Sequence, residues 1–315
     1  MAKLKALLLT GGYHGMISQV EGLAKALKVE FHHKIVRLNW FWNYIPPKFT
    51  PKSEIILKDK NYVTNTEKID LIISCGRKSV IPSILLKKKN KNIFTIHIQD
   101  PKINFNNFNI IVAPEHDGIK GENVINSKGA IHYITEEEIE KSKNYLINKV
   151  QSQKVVALIL GGPNKYYSFD NEEISKIFNQ IKESFIYNGY KAIIVPSMRT
   201  PKKTIELAKK EFENDGYVVT EVNKQAYLSS LAIASDIVIT CDSTSMISEA
   251  SISGKPIFVA HMKNKRNNYR FKKFFQLFKD MGITKNLGEK VEHWKYNNFN
   301  ESERVAKIIN DRLNK

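Results

Sequence analysis

Residues 236–260 read DIVITCDSTSMISEASISGKPIFVA, and this stretch decides how the rest of the chain is read. The apolar run 236–240 fits a short buried strand. A small polar turn, Cys241-Asp242-Ser243, follows it. A short helix rich in small residues comes next, with one carboxylate, Glu249. Gly254 is placed to stop that helix, and Pro256 opens a second apolar run. The helix start offers free N–H groups, which favour an anion, phosphate above all. Ser243, Thr244 and Ser245, the hydroxyls at this helix start, are therefore candidates for a ligand role. Glu249, one turn further on, is placed to accept hydrogen bonds from a ribose. Plain helix capping by the same hydroxyls is the competing reading.

Outward from this stretch, strands and helices alternate along the whole chain. Apolar strands are expected at residues 5–10, 31–38, 69–75, 93–98 and 110–112, with helices at 17–27 and 81–88. A charged segment, 136–150, reads as a helix connecting two domains. The pattern then restarts with a strand at 155–160. Further strands follow at 192–196, 218–222, 236–240 and 256–260. Near-continuous apolar strands between amphipathic helices mean parallel sheets covered on both faces. The fold class is therefore α/β, with two Rossmann-like domains facing across a cleft, residues 1–140 and 141–315. Ligands in such sheets sit beyond the carboxyl ends of the strands.

Several polar turns fall at those ends. The first is Thr10-Gly11-Gly12-Tyr13-His14-Gly15. It lacks the G-x-G-x-x-G spacing of a dinucleotide site, but Gly11, Gly12 and Gly15 let a backbone approach a ligand closely. His14 is a candidate general base. Arg77 and Lys78, beyond the strand ending at Cys75, could bind an anionic group. Gln99 and Asp100, beside His97, form a polar cluster on the cleft side, as do Glu115, His116 and Asp117. His116 and Asp117 suit acid–base work, and ordinary turn chemistry is the alternative. In the second half, Gly161 and Gly162 offer backbone access, and Arg199, before a Pro-started helix, can pair with a diphosphate.

Composition bounds the function. The chain has 315 residues, 42% of them hydrophobic, and a formal net charge of +17. No run of 18 apolar residues is present, so no membrane-spanning helix is expected. The short N-terminal apolar run ends in Gly-Gly and reads as a core strand, not a leader. Cys75 and Cys241 close apolar strands and read as buried free thiols. The positive charge invites anionic partners, yet the lysines are scattered and no nucleic-acid recognition motif appears. Residues 263–279, KNKRNNYRFKKFFQLFK, place Phe271, Phe274, Phe275 and Phe278 on one helical face. That face either packs on a sheet or lies on an anionic membrane.

Together the segments GGYHGMISQ, SCGRKSVIP, IHIQDP, PEHD, LGGPN, SMRTP and TCDSTSMISEASISGKPIFV, in this order, resemble the mitochondrial fission family named for elongated mitochondria. The match covers residues 11–259. That family in turn looks like the GT-B glycosyltransferases, such as lipid-A-disaccharide synthase. The resemblance implies a donor nucleotide in the C-terminal half, with Glu249 on the ribose and Ser243, Thr244 and Ser245 on the diphosphate. It implies that the Gly-rich loop of Gly11, Gly12 and Gly15 faces the acceptor, with His14 as base candidate; Arg77, Lys78, Gln99 and Asp100, at neighbouring strand ends, are expected on the same acceptor side. It also implies a last helix that crosses back onto the first domain. The expectation is a cytoplasmic glycosyltransferase that takes a nucleoside-diphosphate sugar, UDP-linked, with no cofactor and no metal. A cell-envelope or membrane acceptor and a peripheral place on the inner membrane stay open. The rival expectation is a non-catalytic GT-B shell binding membrane or protein partners. Nucleic acid is not expected as a partner.

Overall fold

The computed structural model describes residues 3–59, 69–150, 154–288, 291 and 293–313. The chain divides into two compact units, Met1–Tyr133 with Asn300–Lys315, and Ile134–Phe299. Each unit contains a six-stranded sheet whose paired strands are parallel, so the α/β class with two Rossmann-like domains is what the chain forms.

In the first unit β1 (Lys5–Thr10), β2 (Glu30–Ile35), β3 (Leu71–Cys75), β4 (Phe94–Ile98), β5 (Ile110–Pro114) and β6 (Val124–Ser127) lie in the order β2-β1-β3-β4-β5-β6. Alternate residues of β1 serve opposite faces, which explains its unbroken apolar run. Ala6 and Leu8 join one core cluster, with Val20 and Leu23 of α1 (His14–Ala26). Leu7 and Leu9 join the other, with Val80 and Ile84 of α2 (Val80–Lys89).

In the second unit β7 (Val155–Leu160), β8 (Lys191–Pro196), β9 (Gly216–Val218), β10 (Asp236–Thr240), β11 (Ile257–Ala260) and β12 (Thr284–Asn286) lie in the order β12-β11-β10-β7-β8-β9. The helices are α3 (Glu136–Ser142), α4 (Asn171–Ser184), α5 (Lys202–Phe212), α6 (Lys224–Ile233), α7 (Thr244–Ala250) and α8 (Tyr269–Asp280). Side chains of Thr135, Asp170, Asn223 and Ser243 cap α3, α4, α6 and α7, each accepting a backbone N–H of the first turn.

The last helix, α9 (Glu301–Leu313), belongs to the first unit. Its Val305 and Ile309 sit in the α1-side core. Buried Glu301 accepts the Lys128 N–H at 2.9 Å, and the Ser302 hydroxyl donates to the His132 carbonyl at 2.8 Å.

The structure departs from the sequence expectation in places. The connector helix stops at Ser142 and continues as two short 3-10 turns, Lys143–Tyr145 and Ile147–Lys149. Ser229 of α6 captures this tail, donating to the Lys143 carbonyl at 2.9 Å and accepting the Leu146 N–H at 3.0 Å. β6 and β12 were not expected, because four- and three-residue edge strands with polar residues carry little periodic signal. Cys75 and Cys241 are both buried and free, and burial pushes the Cys241 thiol up to about 12.

The Phe-bearing helix α8 turns its aromatic face inward. Phe274 is 1% and Phe278 0% exposed, while Phe271 and Phe275 stack against Tyr166, Tyr167 and His261. Of the two readings of residues 263–279, the sheet-packed helix with a solvated basic face is the one observed. No described helix is long and apolar enough to cross a membrane.

Candidate functional site

Strand order in the second sheet reverses between β7 and β10, and a crevice beyond the carboxyl ends there is where such sheets take ligands. β7 runs into Gly161-Gly162 and β10 into Cys241-Asp242, with Arg199 in the loop beyond β8. Asp242 ties the three together. Its buried carboxylate accepts the Gly162 N–H at 3.0 Å, the Thr240 hydroxyl at 2.7 Å and Arg199 Nη2 at 2.7 Å. Arg199 Nη1 donates to the Gly162 carbonyl at 3.1 Å.

This packing explains the glycine pair. A Cβ on Gly161 would stand 2.1 Å from Asp242 Oδ2, and one on Gly162 would stand 2.2 Å from the Arg199 carbonyl oxygen. The space freed by the missing side chains is thus filled by the protein itself, not left open as the sequence reading expected. Arg199 is pinned by two bonds and its side chain still reaches solvent, so it can meet an anion without first being ordered. Its charge, however, is already shared with Asp242.

Glu249 projects from α7 toward Tyr227 of α6, whose hydroxyl donates to Glu249 Oε2 at 3.0 Å. Burial pushes this carboxyl up to about 7, and the Tyr227 bond only partly offsets the effect. The helix pair is locked nearby by Lys255, whose ammonium donates to the Leu231 carbonyl at 2.8 Å and also to that of Ala232, at the end of α6. Ser243 spends its hydroxyl on the Met246 N–H at 3.4 Å, as in the capping reading. Thr244 is half-buried and Ser245 exposed, so Ser245 is the member of the trio presented to solvent. Gly254 ends the segment in the left-handed conformation at φ 67°.

In the first unit the expected residues line the carboxyl edge of β1, β3, β4 and β5, which are successive neighbours. Gly12 takes φ 85° and Gly76 φ 81°, backbone that favours glycine. His14 opens α1, is exposed, and meets the Tyr133 hydroxyl at 3.3 Å through Nε2. Arg77 is committed to backbone: Nη1 donates to the Ile45 carbonyl at 2.7 Å and Nη2 to that of Asn43. The Lys78 stem passes over Gly11, and its ammonium lies 5.9 Å from the Tyr13 ring centre.

Gln99 has φ 83°, uncommon for a residue with a side chain. Asp100 accepts the Lys102 N–H at 2.9 Å and the Lys102 ammonium at 2.5 Å. Burial alone would raise its carboxyl, but these bonds and the Lys102 charge hold it below the usual range. His97 is not part of this edge. It is fully buried, bonded to the Ser74 hydroxyl at 2.9 Å, and held neutral by burial, down to about 3.

His116 and Asp117 pair at 3.7 Å in a 3-10 turn after β5. His14 follows β1 and His116 follows β5, strands three interstrand spacings apart in the sheet, roughly 14 Å. Among the described residues no three His, Cys, Asp or Glu side chains gather to hold a metal. Sequence reasoning missed Asp242 as the organiser of the edge. Its position two residues past Thr240, opposite a Gly-Gly turn, was the available signal. Nothing local marked Tyr227.

A family model described as Mitochondrial fission ELM1 matches residues 14–313. The chain belongs to the mitochondrial fission ELM1 family. Among its relatives, the mitochondrial fission protein ELM1 of Arabidopsis thaliana is 20% identical, over 98% of this chain and 91% of that protein. The uncharacterized protein RP120 of Rickettsia prowazekii is 26% identical, over 95% of each. Solved structures share the fold of this ELM1-family chain at low identity. The UDP-GlcNAc 2-epimerase of Methanocaldococcus jannaschii superposes with a TM-score of 0.57 at 17% identity, over 98% of this chain and 100% of that one. The Neisseria meningitidis UDP-GlcNAc 2-epimerase, solved with UDP-GlcNAc bound, gives 0.58 at 14%, over 98% and 99%. MurG of Acinetobacter baumannii gives 0.51 at 9%, over 98% and 90%. The two Rossmann-like domains are thus of the GT-B type.

Proposed function

We propose that the second unit binds a nucleoside-diphosphate sugar, UDP-linked, and that the chain transfers the sugar to a membrane-associated or cell-envelope acceptor. The observation that carries this reading is Glu249, a carboxyl held by Tyr227 on the helix that follows the switch-point strand. A carboxylate there can accept both hydroxyls of a ribose. Arg199 and exposed Ser245 are the proposed contacts of the diphosphate, Arg199 acting as a pinned donor and not as a free charge. In the transfer, the acceptor oxygen bonds to the anomeric carbon as the bond to the UDP oxygen breaks. The acceptor proton passes to a base, for which His14, His116 and Asp117 are the candidates, and UDP leaves as the anion. No cofactor is part of the proposal.

Titration calorimetry with UDP and UDP-GlcNAc tests the site. Binding is expected, and Glu249→Ala should weaken it roughly tenfold or more, as loss of hydrogen bonds to a charged acceptor does. No binding of either nucleotide, or binding indifferent to Glu249→Ala, overturns the assignment. One observation favours a second reading, a GT-B shell that serves fission-type partners without catalysis. The Asp242–Arg199 pair and the packed glycines already satisfy much of the polar edge internally. Under that reading Glu249→Ala leaves cellular function intact.

A further inference from the structure

Residues 38–57 form a closed loop on the first unit. Its ends pair through the Leu38–Leu57 bridge, and the Asn39 N–H donates to the Ile56 carbonyl at 2.8 Å. Three 3-10 turns shape it: Trp40–Asn43, Pro47–Phe49 and Glu54–Ile56. Arg77 clamps the first turn from outside the loop, through the carbonyls of Asn43 and Ile45. One set of apolar side chains, Leu38, Ile56 and Leu57, is buried in the core, with Trp42 packed against it. The loop thus needs no further apolar burial to be ordered.

A second apolar set remains outside. Trp40 and Tyr44 are each 77% exposed, Phe49 67% and Ile55 64%, with Phe41 also exposed. Five large apolar side chains held outward within sixteen residues are far beyond the scattered exposure of an ordinary surface. Cations accompany them. Arg37, Lys48, Lys52 and Lys58 are exposed, and the Lys48 ammonium lies 5.0 Å from the Phe49 ring centre. Of the nearby carboxylates, Glu54 is bonded to Lys89 at 2.6 Å. The loop also sits on the more basic part of the chain. The first unit has 24 Lys and Arg against 13 Asp and Glu, a net +11 of the total +17.

We propose that residues 38–57 dock the protein on an anionic lipid bilayer, with Trp40, Tyr44 and Phe49 entering the headgroup region and the flanking cations meeting lipid phosphates. Trp and Tyr favour that interface because one end of each ring system is apolar and the other hydrogen-bonds. The cations add attraction that depends on anionic lipid and on salt. A protein partner would use the aromatics but would not need the positive field, so the charge favours the bilayer. This proposal does not rest on the transferase reading.

Sedimentation of the full chain with phosphatidylcholine vesicles, with and without phosphatidylserine, tests it. Binding is expected only with phosphatidylserine, and the triple variant Trp40→Ala, Tyr44→Ala, Phe49→Ala should lower partitioning roughly tenfold or more. These side chains are exposed, so the variant should keep the wild-type circular dichroism and Tm. Brominated acyl chains should quench tryptophan emission, and Trp40→Phe should remove most of that quenching. Lys272→Glu with Lys273→Glu, on the solvated face of α8, should change partitioning less than twofold. The proposal is overturned by absence of binding to phosphatidylserine vesicles. It is equally overturned by binding the aromatic variant retains in full, which marks scattered lysines as the cause. Loss of a protein partner by that variant with lipid binding unchanged would assign the loop to protein docking instead.

Discussion

Both units open with a strand that runs into Gly-Gly, yet the two turns use glycine for different reasons. In Gly11-Gly12 the second residue needs it for its dihedral, φ 85°, while a Cβ on Gly11 would meet only the flexible stem of Lys78 at 3.3 Å. Gly15 has nothing within 4 Å of where a Cβ would stand. In Gly161-Gly162 neither residue has a positive φ, and both are glycine because Asp242 and Arg199 occupy the space. Identical dipeptides at equivalent places thus make an open turn in one unit and a turn sealed by an ion pair in the other. Gly-Gly in a sequence signals close approach, and it does not say whether a ligand or the protein does the approaching.

The largest expected effect comes from filling the sealed turn. Gly161→Ala should cost about 3 kcal/mol or more, because the new methyl overlaps the Asp242 carboxylate and breaks its bonds. Gly11→Ala should cost under about 1 kcal/mol, since the Lys78 stem can move aside. Urea unfolding of the two variants measures the contrast, and equal losses would erase it.

A second contrast concerns the carboxyl groups at the two edges. Asp100 is held low by Lys102, against the pull of burial, whereas Glu249 has no such cation among the described residues and rises to about 7. Between the ordinary 4.5 and about 7, folded Glu249 keeps a proton that the unfolded chain has lost. Stability therefore falls as pH rises through that window and levels off above it. Glu249→Gln should stabilise the protein by on the order of 2 kcal/mol at alkaline pH and by almost nothing in mild acid. Thermal melts on both sides of the window decide this, and a gain that is independent of pH would refute the assignment. The smallest effect lies within the open turn. Gly12→Ala should cost about 1 kcal/mol for its left-handed backbone, whereas Gly15→Ala, inside α1 with nothing near its new methyl, should stabilise by roughly 0.5 kcal/mol. The opposite signs of the two, from the same unfolding curves, show whether the open turn has one conformational glycine or several.

Much of the fold was legible because it rests on apolar strands buried on both faces. β1, β7 and β10 appear in the sequence with their observed bounds. The edge strands β6 and β12 were not visible, since short partly exposed strands borrow their order from a neighbour. The site was legible in type more than in detail. Local sequence places Glu249 on the helix after the switch-point strand, but its partner Tyr227 lies on another helix, 22 residues earlier, and only packing unites them. Likewise the helical spacing of the four Phe residues in 263–279 is what a core-facing helix needs. The exposed aromatics of 38–57 follow no period, because 3-10 turns and backbone carbonyls held by Arg77 set their directions.

The return of α9 to the first unit also fixes an order of events during synthesis. The α9 residues Glu301 and Ser302 bond to Lys128 and His132, which leave the ribosome 173 and 170 residues earlier. At the usual pace of elongation the first sheet waits roughly 10–30 s for the helix that covers its α1-side core. The second unit, whose residues are continuous, is whole before that helix emerges. The half that begins first is completed last, and until then the apolar surface that Val305 and Ile309 will cover is open to chaperones and to other nascent chains.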